Sequence, residues 1–557
     1  MRLPGVIPAA AVVFVIAVVP YATVWIPFQA NLWVGGGALV AIVAALVALG
    51  RRELVGAVAD APRPLRLGLA LYLAAAAYGA LLGLAYGNPT RYVVTQAASM
   101  IILPVGFIAF RAAARPSLRQ LATGLGLGSF VALAIHVAFL VGRAGAPAVS
   151  GEALRLVLPN DVAFTGTAVM AFLTALAWRS EMGAPLATAA CVASGFLLAG
   201  SMSRGAWLAA LGGVVLFWWL SRRRPWWTLA LIAAALLLGV AMILGASARV
   251  WENARPLVAS NLELPAEAPP GTAIDIQKQV PVTGGPVEIA LSVRGRTTPP
   301  PVVIVSSFDP VEGEREFAML RPNPRSPSQA ARSVAFTPPG ATQLSFRVWA
   351  PSGGGGSMRV EARELAGPLA GWIRTVGLRV STLGTAVTNP SGDDTLEYRV
   401  REWEAVRKAW MGSSALRRLT GCGLGAIVEF PNSSWDFEGR RVLVPTASYL
   451  HNFYVFLGFK LGVGGVVALA GLLMVAAWTW RAARSARDAG GSPALAAAAA
   501  CWCAYLVWSA TSPEIINAHT ATLLGALTAS ALADAARGAA SPAQAPSRSQ
   551  SSSISNA

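Results

Sequence analysis

A chain of 557 residues that is 55% hydrophobic and only 13% charged, with a mean hydropathy of +0.55, does not have the composition of a soluble enzyme. Its formal net charge of +17 comes almost wholly from arginine, since Lys278, Lys408 and Lys460 are the only lysines among 44 basic residues. The arginines are scattered through loops between apolar runs, which argues against nucleic acid and for anionic membrane lipids and a phosphorylated substrate as partners.

Apolar runs of about 20 residues recur along the chain, each long enough to cross a hydrocarbon core as a helix. They predict about twelve spans, near 5–26, 31–50, 67–87, 94–111, 121–142, 161–178, 186–201, 206–220, 228–246, 461–480, 493–511 and 518–535. Residues 9–26 are apolar enough for a signal peptide. No small-residue cleavage site follows them, and a second apolar run comes at once, so they read as a retained span. Arginines mark alternate loops: Arg51, Arg52, Arg63 and Arg66, then Arg111, Arg115 and Arg119, then Arg179, then Arg222 to Arg224, then Arg481, Arg484 and Arg487. The excess of positive charge places these loops and both termini in the cytoplasm. The opposite side receives Arg204, loop 143–160 and the long segment 247–450. The Ser/Ala/Pro-rich tail 537–557 has the composition of a disordered segment.

Segment 247–450 is too long to be a structureless loop. Between about 270 and 365 it alternates with strand periodicity. Val287, Ile289, Leu291 and Val293 interleave with Glu288, Ala290, Ser292 and Arg294; Leu344, Phe346 and Val348 interleave with Ser345, Arg347 and Trp349. Pro/Gly clusters punctuate these runs, which predicts a small antiparallel β-sandwich. Residues 366–450 read as helical, with an amphipathic 369–383 and a second helix at 395–412. The expected fold is therefore mainly α: a polytopic membrane protein with about twelve transmembrane helices plus an external insert containing a small β-sandwich and helices. Its units would be helices 1–9 in 1–246, the β-rich insert in 247–365, a helical loop in 366–450, helices 10–12 in 451–536, and the tail 537–557.

Two short polar motifs interrupt the apolar pattern. Ser203-Arg204-Gly205-Ala206-Trp207 links two predicted spans at the outer interface. A guanidinium there is either an interface anchor or an anion contact, since its planar donors match phosphate oxygens. His451-Asn452-Phe453 stands where the chain re-enters the apolar region, flanked by Tyr449 and Tyr454. An imidazole can act as a general base toward a sugar hydroxyl near neutral pH, and an interfacial structural histidine is the alternative. His136 lies within an apolar run and reads as a core residue. Between the two motifs, Tyr398-Arg399-Val400-Arg401-Glu402-Trp403 runs into Gly421-Cys422-Gly423-Leu424-Gly425. On its own the first stretch reads as a solvated helix face. The second lacks the Lys-Ser/Thr of a phosphate-binding loop, so nucleotide binding is rejected. The four cysteines have no metal-ligand spacing; neither a metal nor a cofactor is expected.

Taken together, the outer-face SRGAW, the Arg-x-x-x-Trp of Arg399 and Trp403 before Gly421, Gly423 and Gly425, and His451-Asn452 followed by Gly462 and Gly464 resemble the O-antigen ligase and O-antigen polymerase superfamily. These are bacterial inner-membrane glycosyltransferases of the lipid-linked, GT-C-like kind. The resemblance implies an undecaprenyl-diphosphate-linked glycan as donor, chemistry on the periplasmic face, and no nucleotide sugar or metal. It implies that Arg204 and Arg399 hold the diphosphate and that His451 orients or deprotonates the acceptor hydroxyl. Ser203, Asn160, Arg155, Arg401, Trp403 and Asn452 would contact substrate. The acceptor would be lipid A-core for a ligase, or another glycan for a polymerase. The β-rich insert departs from the pattern expected of a ligase. Trp349 and Arg347 share a strand face there and could contact a glycan; a lid or spacer is the alternative. A transporter of lipid-linked glycans is the competing reading from another class, although few charges fall at span centres and no symmetry of halves is evident.

Overall fold

The computed structural model describes residues 13–16, 55–56, 58–113, 118–142, 161–178, 184–200, 203–221, 226–264, 272–294, 301–310, 313–320, 330–338, 340–350, 356–388, 394–435, 441–445, 450–488 and 492–540. Helices come first: α1 (Arg63–Ala85), α2 (Thr90–Ala113), α3 (Leu118–Gly142), α4 (Asp161–Trp178), α5 (Ala184–Gly200), α6 (Arg204–Leu220) and α7 (Trp226–Glu252). After a β-rich unit the helices resume as α8 (Pro368–Thr388), α9 (Asp394–Met411), α10 (Ala415–Thr420), α11 (Phe453–Leu461), α12 (Val463–Asp488), α13 (Pro493–Trp508) and α14 (Ala518–Ala540).

Helices occupy the predicted segments from residue 67 onward, but the count of about twelve transmembrane spans is corrected. Among the described residues, three helices are long and apolar enough to cross a membrane: Arg63–Ala85, Thr90–Ala112 and Val463–Arg487. Five further apolar stretches within helices are shorter, at Gln120–Ala134, Thr165–Ala177, Pro185–Leu198, Gly205–Leu220 and Pro493–Trp508. α5, α6 and α13, with 17, 17 and 16 residues, reach only about 24–26 Å, short of a hydrocarbon core of about 30 Å. The physical reason for the overcount is that hydropathy does not distinguish lipid-facing from protein-facing apolar residues. α13 is buried at nearly every position, from Ala494 through Trp502 and on to Trp508, so its greasiness serves the protein interior. The predicted spans 5–26 and 31–50 and the tail beyond 540 lie outside the described residues, save residues 13–16.

Packing among these helices relies on small residues. α1 crosses α12 at Gly68 and Gly471, each so close that a Cβ on one would stand 2.5–2.6 Å from the carbonyl oxygen of the other. Side chains of any size would force the two candidate spans apart, as in membrane-type helix pairs.

The β-rich unit consists of two four-stranded antiparallel sheets. Its strands are β1 (Arg255–Leu264), β2 (Thr272–Pro281), β3 (Val287–Arg294), β4 (Val302–Asp309), β5 (Gly313–Leu320), β6 (Ala330–Ala335), β7 (Gln343–Ala350) and β8 (Gly356–Glu364). One sheet runs β1-β8-β3-β6 and the other β2-β7-β4-β5. Ile289, Leu291, Val303, Val305, Leu344, Phe346, Val348, Val360 and Ala362 fill the space between them. Each of these side chains larger than alanine contributes about 1.5–3 kcal/mol by leaving water, and a register slip by one residue would turn the whole set outward. The strands begin at Arg255, earlier than the alternation suggested.

Glu288, an outward position in the β3 pattern, is nevertheless fully buried. α8 covers it: Arg374 Nε and Nη2 donate to its two carboxylate oxygens, the latter at 2.9 Å, while Nη1 donates to Ser247 Oγ at 3.0 Å. The guanidinium also lies 5.1 Å from the ring centroid of Trp251, at the end of α7. One buried ion pair therefore joins the sandwich to both helices that flank it in sequence.

Residues 366–450, expected to be helical, also contain a ribbon of β9 (Glu429–Trp435) and β10 (Arg441–Pro445). Before it, the glycine-rich stretch straps α10 to the spans. Gly421, Gly423 and Gly425 have φ of +88°, +79° and +79°, which only glycine adopts without strain. All the amides from 421 to 426 donate to protein acceptors, among them Cys422 to Phe459 O, Gly423 to Lys460 O, Leu424 to Gly79 O and Gly425 to Gln96 Oε1. With its N–H groups so used, the stretch is a structural strap rather than a phosphate cradle.

Lys460 fastens the same strap, donating from Nζ to Ala426 O while fully buried. Burial pulls its pKa down to about 7, against about 10.4 in an unfolded chain. Between those values the folded protein has released a proton that the unfolded chain keeps. Stability therefore rises with pH across this window, by at most about 1.4 kcal/mol per pH unit. Thermal melting at pH 7 and pH 9 should show this gain in the wild type and a smaller one in Lys460→Met; equal gains would contradict it.

Candidate active site

His451 lies immediately before Asn452, the N-cap of α11, whose Oδ1 accepts from the Val455 amide at 3.0 Å. Asn452 Nδ2 donates to Ala510 O at 2.8 Å, and the Phe453 amide donates to Ser509 O at 2.9 Å. The His-Asn-Phe motif is thus docked on the turn that follows α13.

The other motif reaches the same turn. Ser203 caps α6, accepting from the Ala206 amide, and Arg204 opens the helix. A Cβ on Gly205 would stand 2.3 Å from Thr511 Oγ1 and 2.9 Å from a carbon of the Trp508 ring. Glycine is what lets the start of α6 seat there. Two helix N-termini, each carrying the positive end of a helix dipole, therefore share the Trp508–Thr511 turn as a neighbour. The backbone of Arg204 is placed by this packing; its side chain lies outside the described residues, as do Arg155 and Asn160 altogether.

α9 packs against the same motif. Glu402, buried with 2% of its side chain exposed, grips His451 twice. Its Oε2 accepts from the His451 amide at 2.9 Å, and its Oε1 accepts from Nδ1 at 3.1 Å. A carboxylate only accepts hydrogen bonds, so this contact selects the tautomer with the proton on Nδ1 and leaves Nε2 with its lone pair. Tyr398, one helical turn before Glu402, sets its ring edge-on to the imidazole at 5.2 Å and to Phe430 of β9 at 5.0 Å. Glu402 and the Tyr398 ring both bear on the imidazole, whose side chain is 29% exposed. That combination of a fixed base with an open face is what proton abstraction from a bound hydroxyl requires.

Arg399, Arg401 and Trp403 stand on α9 beside Glu402. Arg401 is buried, Arg399 and Trp403 are half-buried, and both arginines have interaction partners. The structure thus brings His451, Asn452, Arg399, Arg401 and Trp403 to neighbouring elements, and brings the start of the Arg204 helix to the same turn.

Sequence reasoning missed two acids. Glu402 was read only as part of a charged helix face, because its partner is 49 residues away. Glu514, in a short 3-10 turn between α13 and α14, is fully buried. Its Oε1 accepts from Ser512 Oγ at 2.9 Å, and burial pushes its carboxyl well above the usual carboxylate range. An acid flanked by apolar helices is a signal that could have singled it out. Among the described residues no cluster of three His, Cys, Asp or Glu could hold a metal ion.

Compared with known proteins, the chain matches no family model and no curated sequence.

Proposed function

We propose that the protein is a membrane glycosyltransferase that moves a glycan from an undecaprenyl-diphosphate carrier to an acceptor hydroxyl, of the O-antigen ligase type, at the periplasmic face of a bacterial inner membrane. The observation that carries this reading is the Glu402–His451 pair, poised beside the turn that also seats the start of the Arg204 helix.

The chemistry is a single displacement. The acceptor hydroxyl gives its proton to His451 Nε2 as its oxygen bonds to the anomeric carbon from the side opposite the carrier. The bond from that carbon to the phosphate oxygen breaks, and undecaprenyl diphosphate leaves with inverted configuration at the sugar. Negative charge develops on the departing diphosphate, where Arg204, Arg399 and the two helix N-termini would offset it. Glu402 remains a carboxylate and stabilises the imidazolium formed at His451.

Purified protein in nanodiscs, given a defined undecaprenyl-diphosphate glycan with chelator and no nucleotide, tests the reading and its branches. Glycan moved onto lipid A-core indicates a ligase. A lengthened lipid-linked chain indicates a polymerase of the same superfamily. Donor binding with no transfer to either acceptor would sink the enzymatic reading and favour a transporter of lipid-linked glycans. In Arg204→Ala and Arg399→Ala, donor affinity should fall; unchanged affinity in both would remove them as diphosphate contacts.

A further inference from the structure

The sandwich has two unlike outer faces. On the β1-β8-β3-β6 sheet, Arg332 and Arg363 lie against Trp251, with guanidinium-to-centroid distances of 5.4 and 4.3 Å, and α8 covers Glu288. That side is committed to the helices. The outer face of the β2-β7-β4-β5 sheet necessarily looks the other way.

Strand register fixes what this second face displays. Leu344, Phe346 and Val348 are fully buried in the core, so Ser345, Arg347 and Trp349 point outward. Trp349 stands opposite Ala273 and Val302, Arg347 opposite Asp275 and Ile304, and Ser345 opposite Ser306. Phe308, 43% exposed, closes the far end of the same row. Trp349 and Phe308 are six residues apart in register, or about 20 Å along the strands. Between them Arg347 is clamped by two carboxylates: Nε to Asp275 Oδ1 and Nη2 to Glu314 Oε1, both at 3.1 Å.

We infer that this face is a binding site for a neutral glycan chain, with Trp349 and Phe308 as stacking platforms and the Arg347–Asp275–Glu314 group as the polar reader between them. Asp275 also pairs with Lys278, whose Nζ lies 2.7 Å from Oδ2, so the two cations and two carboxylates balance and leave no net positive charge to draw phosphate, nucleic acid or anionic lipid. The same group sets fixed donors beside fixed acceptors, and each sugar hydroxyl both donates and accepts. Trp349 and Phe308 offer flat apolar surface to the C–H faces of the rings. Ala273, exposed beside Trp349, keeps the tray shallow there. The site rests on the proposed transferase only for the source of its glycan, which would be the chain being transferred; binding itself requires no catalysis.

Full-length protein in nanodiscs should be titrated with neutral hexasaccharides of gluco, manno and galacto configuration, with a hyaluronan hexasaccharide as the acidic comparison. At least one neutral probe should bind, Trp349→Ala should weaken it tenfold or more, and Trp349→Phe should restore most of the affinity. Phe308→Ala, at an exposed position where truncation leaves the core intact, should weaken it several-fold. Hydrogen exchange across 343–350 shows whether each variant keeps its sheet. His451→Ala should bind the probe as wild type does, so loss of transfer and loss of glycan binding are read separately. Binding to no neutral probe, preference for hyaluronan, or equal binding by wild type, Trp349→Ala and Phe308→Ala would each overturn the proposal.

Discussion

Truncating Glu402 to alanine is expected to lower glycan transfer by about 10²–10⁴-fold, the range over which a positioned acid–base group acts, with donor affinity nearly unchanged. Glu402 touches His451 rather than the reacting atoms, so it is a positioning residue. Without it the ring loses the acceptor that keeps the proton on Nδ1, and the imidazolium formed during transfer loses its counter-charge. The half-buried amide of His451 also loses its acceptor. Glu402→Gln separates these effects. It preserves volume and can still accept from the amide, but its NH₂ group can face Nδ1 and favour the wrong tautomer. A large fall in kcat in Glu402→Gln, with KM for donor little changed, is the outcome a positioning role requires. Wild-type kcat in that variant would show that the contact is only structural.

The second large effect concerns the joint between sandwich and helices. Arg374→Ala should cost about 3–5 kcal/mol, because it strands a fully buried carboxylate. Burial already raises the pKa of Glu288 despite Arg374, Arg332 and Arg363 nearby, so desolvation outweighs pairing even in the intact protein. The sign follows: a carboxyl whose folded pKa is raised above its unfolded value favours folding more as pH falls. Arg374→Ala should accordingly be least stable at neutral pH and recover in part on mild acidification. The double variant Arg374→Leu with Glu288→Leu should regain most of the loss, since an apolar pair leaves no buried charge. Hydrogen exchange at 247–251 and 368–378, together with thermal melting, checks this. A double variant as unstable as Arg374→Ala would mean that the joint depends on something other than the pair.

How far the sequence could be read depended on the range of the interactions. Val287 to Val293 and Leu344 to Val348 announced strands because a sheet with one buried face leaves a period of two in neighbouring residues. The same locality misled at α13, where an unbroken apolar run looked like a membrane span yet is buried against the protein. Composition records that a segment avoids water, not what it packs against. The motifs at Arg204 and His451 stood out as polar breaks in apolar surroundings. Their common neighbour, the Trp508–Thr511 turn, could not be seen, because it is built by Gly205 and Asn452 meeting residues far along the chain. Glu402 was hidden for the same reason: nothing on its own helix marks it apart from Glu404, and only the fold brings His451 to it.

The most direct single measurement is release of undecaprenyl diphosphate from a defined lipid-linked glycan in one turnover, with acceptor and chelator present, comparing wild type with His451→Ala. Release by the wild type, and binding without release by His451→Ala, is the predicted result. Equal release by the two proteins would contradict a site organised around the Glu402–His451 pair.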